Sequence, residues 1–413
     1  MNNFHHVNNE LYCENVSLLR LAQDVGTPAY VYSKASIITT IELLHGAFES
    51  VNALVCFSVK SNSNLSILRL MAQKGVGADI VSGGELFRAV KAGIDPKNIV
   101  YSGVGKTGDE MRFALKCGIG MFNVESEQEL SALSALAQSM DTIASIAVRV
   151  NPDIDAKTHH YTTTAKKENK FGLPVSQALA LYKKANSLPH INPIGVAVHL
   201  GSPILSLEPY RQAFTALSRL IDELRSINIS IHSLDIGGGF GIVYRDESPF
   251  TPIQFAALAI PFVDKLKCRL IMEPGRFIVG NAGVLLTTVT YVKKTETKLF
   301  YICDAGMNDL VRPCLYNAFH DIVPVLLQKD APAVIADIVG PVCESSDFFA
   351  KDRSIGLMAP ASLLAVRSAG AYGFSMASNY NSRPSPCEVL VDGSSYSLIR
   401  KRGSYEDLIR GEE

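Results

Sequence analysis

The chain holds 413 residues, 47% hydrophobic and 19% charged, with a formal net charge of −1. That is enough apolar material for one large and one smaller core, and without a clustered positive field it excludes nucleic acid and anionic membranes as partners. Eight cysteines without a C-x-x-C pair and a polar start, Met1-Asn2-Asn3-Phe4-His5-His6, argue against secretion, a disulfide framework or a metal site, so a reduced, cytoplasmic protein is expected.

In chain order, residues 1–30 read as a segment that lends a strand to a later domain. From residue 50 onward short apolar runs alternate with longer amphipathic ones. The runs are Ala53–Val59, Gly77–Ser82, Ile99–Gly103, Met121–Glu125, Ala144–Asn151, Ile194–Gly201, Ser233–Gly239 and Arg269–Arg276. Each is short and rich in Val, Ile and Ala, which suits a parallel strand buried on both faces. Helical patterns lie between them; Ser126 and Glu129 carry a capping-box signature. Eight strands alternating with helices predict a (β/α)8 TIM-like barrel over 31–276.

Polar residues gather at the C-terminal ends of these runs. In order they are Lys60, Asp79 with Ser82, Ser102, Asn123 with Glu125, Arg149 with Asn151, His199, Gly237-Gly238-Gly239, and Glu273 with Arg276. A barrel builds its active site on that face from several strands. One such residue alone reads equally well as a loop cap, whereas eight enriched ends together point to a site. The long polar stretch Asn151 to Gly172 falls on the same face, where such loops are commonly functional. After Arg276 the texture changes to alternating β-branched segments, Gly283–Val292, Leu299–Cys303, Ala333–Val339 and Glu388–Val391. These predict a C-terminal β-sandwich or β-barrel domain over 277–413 that also takes in the N-terminal strand. The uncharged stretches, such as Phe277–Val292, are too short and polar to span a bilayer.

Several strand ends carry recognisable chemistry. A lysine at the apolar end of a strand, as Lys60 is, becomes partly desolvated, which frees its amine for imine formation. A phosphate needs backbone N–H donors and no side chains in the way, and Gly237-Gly238-Gly239 followed by Gly275 offers that in the two loops where barrels commonly hold one. Glu273 suits the nitrogen of a pyridine ring, which it keeps protonated as an electron sink. Arg276 can hold a carboxylate through a bidentate pair, and His199 offers a flat ring for stacking. Read singly, these residues fit a strand cap, a tight turn, a structural Glu–Arg pair and a core histidine just as well.

Taken together they resemble the fold-type III pyridoxal-phosphate (PLP) decarboxylases. The resemblance rests on Phe57-Ser58-Val59-Lys60-Ser61-Asn62, Gly77-Ala78-Asp79-Ile80-Val81-Ser82, His199-Leu200-Gly201-Ser202, Gly237-Gly238-Gly239 and Glu273-Pro274-Gly275-Arg276. Cys343-Glu344-Ser345-Ser346-Asp347, Ser375-Met376-Ala377-Ser378-Asn379-Tyr380-Asn381 and the loop Ile154-Asp155-Ala156-Lys157-Thr158-His159 are similar to the branch that acts on diaminopimelate.

The resemblance implies decarboxylation of meso-2,6-diaminopimelate to L-lysine and CO2, the last step of lysine biosynthesis. It implies PLP held as a Schiff base on Lys60, with Asp79, His199, Ser202, Gly237, Gly238, Gly239, Glu273, Gly275, Arg276 and Tyr372 binding it. It implies Arg276, Arg312, Tyr316, Glu344 and Tyr372 as substrate-binding residues. Lys60, His199 and Cys343 are then catalytic, Cys343 being the acid that protonates the carbanion. A thiol with an ordinary pKa of about 8.5 is mostly protonated at neutral pH and suits that task. It further implies a homodimer with shared sites, because in this family the Cys-Glu segment reaches the neighbouring subunit's site.

Ser61, Ala165 and Pro203 depart from the family pattern, and none is a catalytic group. Other readings are a decarboxylase of ornithine or arginine type, which needs no guanidinium aimed at a distal carboxylate, and a racemase, which needs a tyrosine base. A catalytically inactive regulatory homologue is a reading of a different class.

Overall fold

The computed structural model describes residues 3–155, 170–328 and 331–412. The chain divides into two compact units. One comprises Ile41–Ile242 and Ser248–Gly275; the other comprises Met1–Thr40, Val243–Glu247 and Arg276–Glu413.

The first unit is a closed parallel barrel. Its strands are Ala53–Ser58, Gly77–Ile80, Ile99–Tyr101, Met121–Val124, Ala144–Asn151, Ile191–Ala197, Ser233–Asp235 and Arg269–Met272. Each pairs in parallel with the next, and Leu270 to Met272 of the eighth lies opposite Ala53 to Val55 of the first, so the sheet has no edge. Leu54, Cys56, Val100, Met121, Ala147, Ala197 and Ile271 pack into one buried cluster drawn from six of the strands, filling the space that closure encloses.

Most strands stop earlier than their apolar runs suggest. Lys60 leaves the sheet in the single helical turn Val59–Ser61, whereas Asp79, Asn123, Arg149 and Asp235 still belong to ladder pairs near their strand ends. Helix starts follow their capping chemistry only in part. Ser126 Oγ accepts the Glu129 N–H at 3.1 Å, but the Glu129 carboxylate accepts from the Glu125 N–H and from Lys106 Nζ, so the expected reciprocal box does not close there. Reciprocal boxes do form at Thr107/Glu110 and Thr251/Gln254.

The second unit is a β domain whose main sheet runs Phe348–Gly356, Ala333–Val339, Leu299–Cys303, Gly283–Lys294, Ala29–Ser33, Cys387–Asp392, Ser395–Arg400. The strand supplied by the N-terminal region, Ala29–Ser33, sits inside this sheet, antiparallel to Gly283–Lys294 and parallel to Cys387–Asp392. Such a strand is buried on both faces, and all five of its residues are buried. A small sheet of Phe4–Val7, Glu10–Cys13 and Val16–Ser17, absent from the sequence expectations, packs Phe4, Leu11, Cys13 and Val16 against Val31, Val284, Leu286 and Val389. Among the described residues no helix is long and apolar enough to cross a membrane. Of the predicted loop 151–172, residues 156–169 lie outside the described residues, and with them Ala156 to His159 and Ala165.

Candidate active site

The barrel gathers its polar strand ends around a cavity of about 350 Å³ lined by Lys60, Ser102, Asn123, Arg149, His199 and Glu273 among others. Lys60 sits in the turn directly after the first strand, and its Nζ lies 2.5 Å from Asp79 Oδ2 on the second. The amine is therefore not simply desolvated, as the sequence suggested, but held by a buried carboxylate. Ser58 Oγ donates to the same Asp79 oxygen at 2.7 Å, while Asp79 Oδ1 is buried with no donor among the described residues.

His199 follows the sixth strand. Its Nδ1 accepts the Gly238 N–H at 3.2 Å, which leaves Nε2 to carry the ring proton. Burial, reinforced by the charges of Arg149 and Lys60, holds the imidazole well below its ordinary pKa of 6.5. The ring is thus neutral, and its 3.9 Å approach to Glu273 Oε2 is not an ion pair. A neutral, flat ring fixed by a backbone donor is suited to stacking.

Glu273 follows the eighth strand and is 4% exposed. Burial above all, then the charges of Asp235 and Asp79, raise its pKa well above the carboxylate range, against the opposing pull of Lys60. Glu125 receives Arg149 Nη1 at 3.0 Å and the Gly103 and Gly172 N–H groups at 2.9 and 3.0 Å. Arg149 also lies over the Phe171 ring, 4.9 Å from its centroid.

The glycine run is built for close approach. A Cβ on Gly238 would stand 2.1 Å from the Glu273 carbonyl oxygen, and one on Gly239 2.3 Å from the Gly201 carbonyl oxygen. Gly237 and Gly239 also adopt φ of +70° and +97°, which favours glycine. Two of the run's three amides are spent within the barrel: Gly237 donates to Asp235 Oδ1 at 2.9 Å and Gly238 to His199. The N–H groups of Gly239 and Gly275 have no acceptor among the described residues. A primary amine, a buried acid, a neutral imidazole, spare backbone donors and the unmatched Asp79 oxygen fit a phosphorylated pyridine aldehyde. Ser202 is half-buried in the loop after His199.

The β domain assembles a second cluster. Arg276, 7% exposed at the head of a one-turn helix, donates from Nη1 to the Tyr244 hydroxyl at 2.5 Å, and its guanidinium lies 4.9 Å from the Tyr372 ring centroid. Arg312 lies 4.9 Å from the Tyr244 ring centroid on another side, and its Nη1 donates to His320 Nε2 at 2.8 Å. His320 Nδ1 is 2.8 Å from the Arg367 carbonyl, to which it donates. Burial and the Arg312 charge push His320 down to about 3, so it stays a neutral acceptor. Burial also lowers the Arg312 pKa, as does the Arg276 charge. No carboxylate among the described residues pairs with Arg312. Tyr316 closes the helix that Arg312 opens. Tyr372 holds φ at +56°, a costly conformation for a bulky residue and one that clusters at functional sites.

Cys343 and Glu344 lie on an exposed turn. The Cys343 N–H donates to Asn381 Oδ1 at 2.8 Å, and Glu344 accepts from Ser346 and Tyr380, which lowers its pKa. Asp347 anchors the turn by accepting the Met307 and Val342 N–H groups at 2.7 and 2.6 Å. An exposed thiol on a braced turn is unlike a small hydrophobe filling a core.

Sequence reasoning missed Asp235, Tyr244 and His320. Asp235 carried a signal, since it ends the seventh apolar run just ahead of the glycines. Tyr244 and His320 lie in loops far apart in sequence, and nothing local marks them.

The chain matches the family described as pyridoxal-dependent decarboxylase, pyridoxal binding domain, over residues 34–280. It is 48% identical to the diaminopimelate decarboxylase of Pseudomonas aeruginosa, covering 100% of this chain and 99% of that one. It is equally 48% identical to that of Aquifex aeolicus, over 97% and 95% of the two chains. Among solved structures, the diaminopimelate decarboxylase of M. jannaschii in co-complex with L-lysine superposes with a TM-score of 0.95 at 35% identity, covering 100% of this chain and 98% of that one. The Helicobacter pylori enzyme complexed with L-lysine gives 0.92 at 42%, over 95% and 98%.

Proposed function

Since the chain belongs to the pyridoxal-dependent decarboxylases, and among them to the diaminopimelate decarboxylases, we propose that it converts meso-2,6-diaminopimelate to L-lysine and CO2 as the last step of lysine biosynthesis. It is a PLP-dependent carboxy-lyase. The observation that carries the substrate assignment is Arg312, a buried cation with no carboxylate partner among the described residues. Only a substrate with a second, distal carboxylate supplies one; ornithine, arginine and lysine do not.

When bound, the cofactor supplies an electron sink for the carbanion that loss of CO2 leaves. The rest falls to the chain. Lys60 would hold the cofactor through Nζ, with Asp79 and Ser202 supporting it. His199 would offer its neutral imidazole to the ring, and Glu273 its carboxyl group to the ring nitrogen. Gly239 and Gly275 would offer their amides to the phosphate, with Gly237 and Gly238 keeping that approach open and Arg276 and Tyr372 adding to it. Arg276, Arg312, Tyr316 and Tyr372 orient the substrate through its carboxylate, and Glu344 takes the distal ammonium. Cys343 Sγ delivers the proton that replaces CO2. The exposure of Cys343 and Glu344 supports their service to a neighbouring subunit, hence a homodimer with shared sites, in the cytoplasm.

The test is CO2 release from meso-diaminopimelate, lysine, ornithine and arginine in parallel. Diaminopimelate is expected to be preferred. Preference for ornithine would overturn the substrate, and no release from any would favour an inactive homologue.

A further inference from the structure

Three carboxyl groups, Asp79, Asp235 and Glu273, lie buried together under the barrel cavity. Glu273 lines the cavity, while Asp235 sits behind it, 1% exposed. Asp235 is held from two sides: Oδ1 accepts the Gly237 N–H at 2.9 Å and Oδ2 accepts Asn123 Nδ2 at 2.9 Å. Asn123 donates as well to Ser102 Oγ, itself 3.4 Å from Glu273 Oε1. Asn123 and Ser102 thus join Asp235 to Glu273, and the Asp235 charge raises the Glu273 pKa. Two acids buried together do not both ionise readily, so one proton stays with the pair.

We propose that Asp235 is a positioning residue for the cofactor's ring nitrogen: the donors fixed on it keep it the anionic member of the pair. The shared proton then rests on Glu273, the member facing the cavity, and passes from Glu273 Oε to the ring nitrogen on binding. One O–H bond breaks and one N–H bond forms, Glu273 becomes a carboxylate, and total charge is conserved. The inference rests on the assignment of Glu273 to that nitrogen.

The surrounding groups agree. Lys60, after the first strand, and Asp79, on the second, act on Glu273 with opposite sign. The Cys56 thiol is pushed well up by burial and by the same three acids, so it brings no charge. His199 is neutral. Burial raises Asp235 only to about 6, with its Asn123 and Gly237 donors pulling it down, whereas Glu273 goes well above the carboxylate range. Two donors at 2.9 Å fix the charge on Asp235, whereas among the described residues Glu273 has only the Ser102 hydroxyl at 3.4 Å, so the proton rests on Glu273.

Asp235→Asn, close to isosteric, removes the charge and keeps the shape. In the apoprotein at neutral pH, the infrared difference spectrum, wild type minus Asp235→Asn, is expected to show a positive protonated-carboxyl C=O band, because the substitution removes one of the charges that hold the proton on Glu273 while its burial remains. Glu273→Gln is expected to lose the same band, and it carries the test should Asp235→Asn fail to fold. Calorimetry of PLP binding in buffers of different ionisation enthalpy is expected to show Asp235→Asn taking up more protons than the wild type, by up to about one per site. A band of unchanged intensity in Asp235→Asn, one that survives Glu273→Gln, or equal proton uptake, overturns the proposal. Neither measurement needs turnover, so failure of the substrate assignment would show separately in the CO2 assay.

Discussion

Nζ of Lys60 lies 2.5 Å from Oδ2 of Asp79, a carboxylate whose side chain is wholly buried. The lysine that the sequence marked as a strand-end amine is therefore also the counter-charge of a buried acid. Lys60→Ala is expected to abolish both the visible absorbance of bound PLP and CO2 release. It also strands Asp79, and because Lys60 is one-third exposed the stability cost is about 1–2 kcal/mol, below that of a fully buried pair. Absorbance, turnover and thermal melting are read on one preparation; full activity without Lys60 would refute its role.

Arg312 holds a forked guanidinium against the Tyr244 ring and His320 Nε2. Lysine keeps the charge but loses the planar fork. Arg312→Lys is expected to raise KM for diaminopimelate about 10- to 100-fold, a cost of about 1.4–2.7 kcal/mol, with a smaller change in kcat. Steady-state kinetics check this. An unchanged KM would remove Arg312 from the substrate site.

His320 gives a pH dependence. Its folded pKa is depressed from 6.5 to about 3 by burial and Arg312. Below pH 6.5 the unfolded chain binds a proton that the folded chain refuses, so this contribution to stability is intact above 6.5 and shrinks as pH falls towards 3. The loss is of the order of a few kcal/mol over that window. His320→Gln keeps an acceptor for Arg312 and is expected to flatten the acid limb of melting temperature against pH. An unaltered limb would show that other groups govern it.

Gly238→Ala tests the glycine run. The new Cβ would meet the Glu273 carbonyl oxygen at 2.1 Å, and the clash is with backbone rather than a movable side chain. A destabilisation of about 2–3 kcal/mol is expected, with weaker PLP binding because Glu273 and His199 must shift. Thermal melting and cofactor titration would show it; a wild-type melting curve would mean that the loop yields freely.

Cys343→Ala changes an exposed side chain, so folding is expected to be untouched while turnover falls by about 100-fold or more, as loss of a general acid does. Mixing it with Lys60→Ala under subunit exchange is expected to restore part of the activity, because a mixed dimer contains one site with both groups intact. Persistent inactivity of the mixture would place Lys60 and Cys343 of one site on the same subunit.

The barrel was legible because strands buried on both faces are written as apolar runs, and polar residues at their ends stand out against them. Lys60, Asp79, His199 and Glu273 were visible for that reason. The amides of Gly237 and Gly238 were misjudged: the run was read as three open donors, yet two are spent on Asp235 and His199, a commitment made by loops that meet only on folding. The N-terminal sheet escaped notice because Phe4–Val7 and Glu10–Cys13 are too short for a periodic signal.

What the sequence by itself determined is the order of the barrel strands and the residue types at their ends, since each is set by local pattern. Only the tertiary structure decided the protonation chemistry. That Asp79, Asp235 and Glu273 are buried together, that His199 is neutral, and that Arg312 leans on Tyr244 and His320 all follow from burial and from distances between distant segments. Electrostatic energy depends on those distances and on the exclusion of water, and neither is written in any stretch of chain.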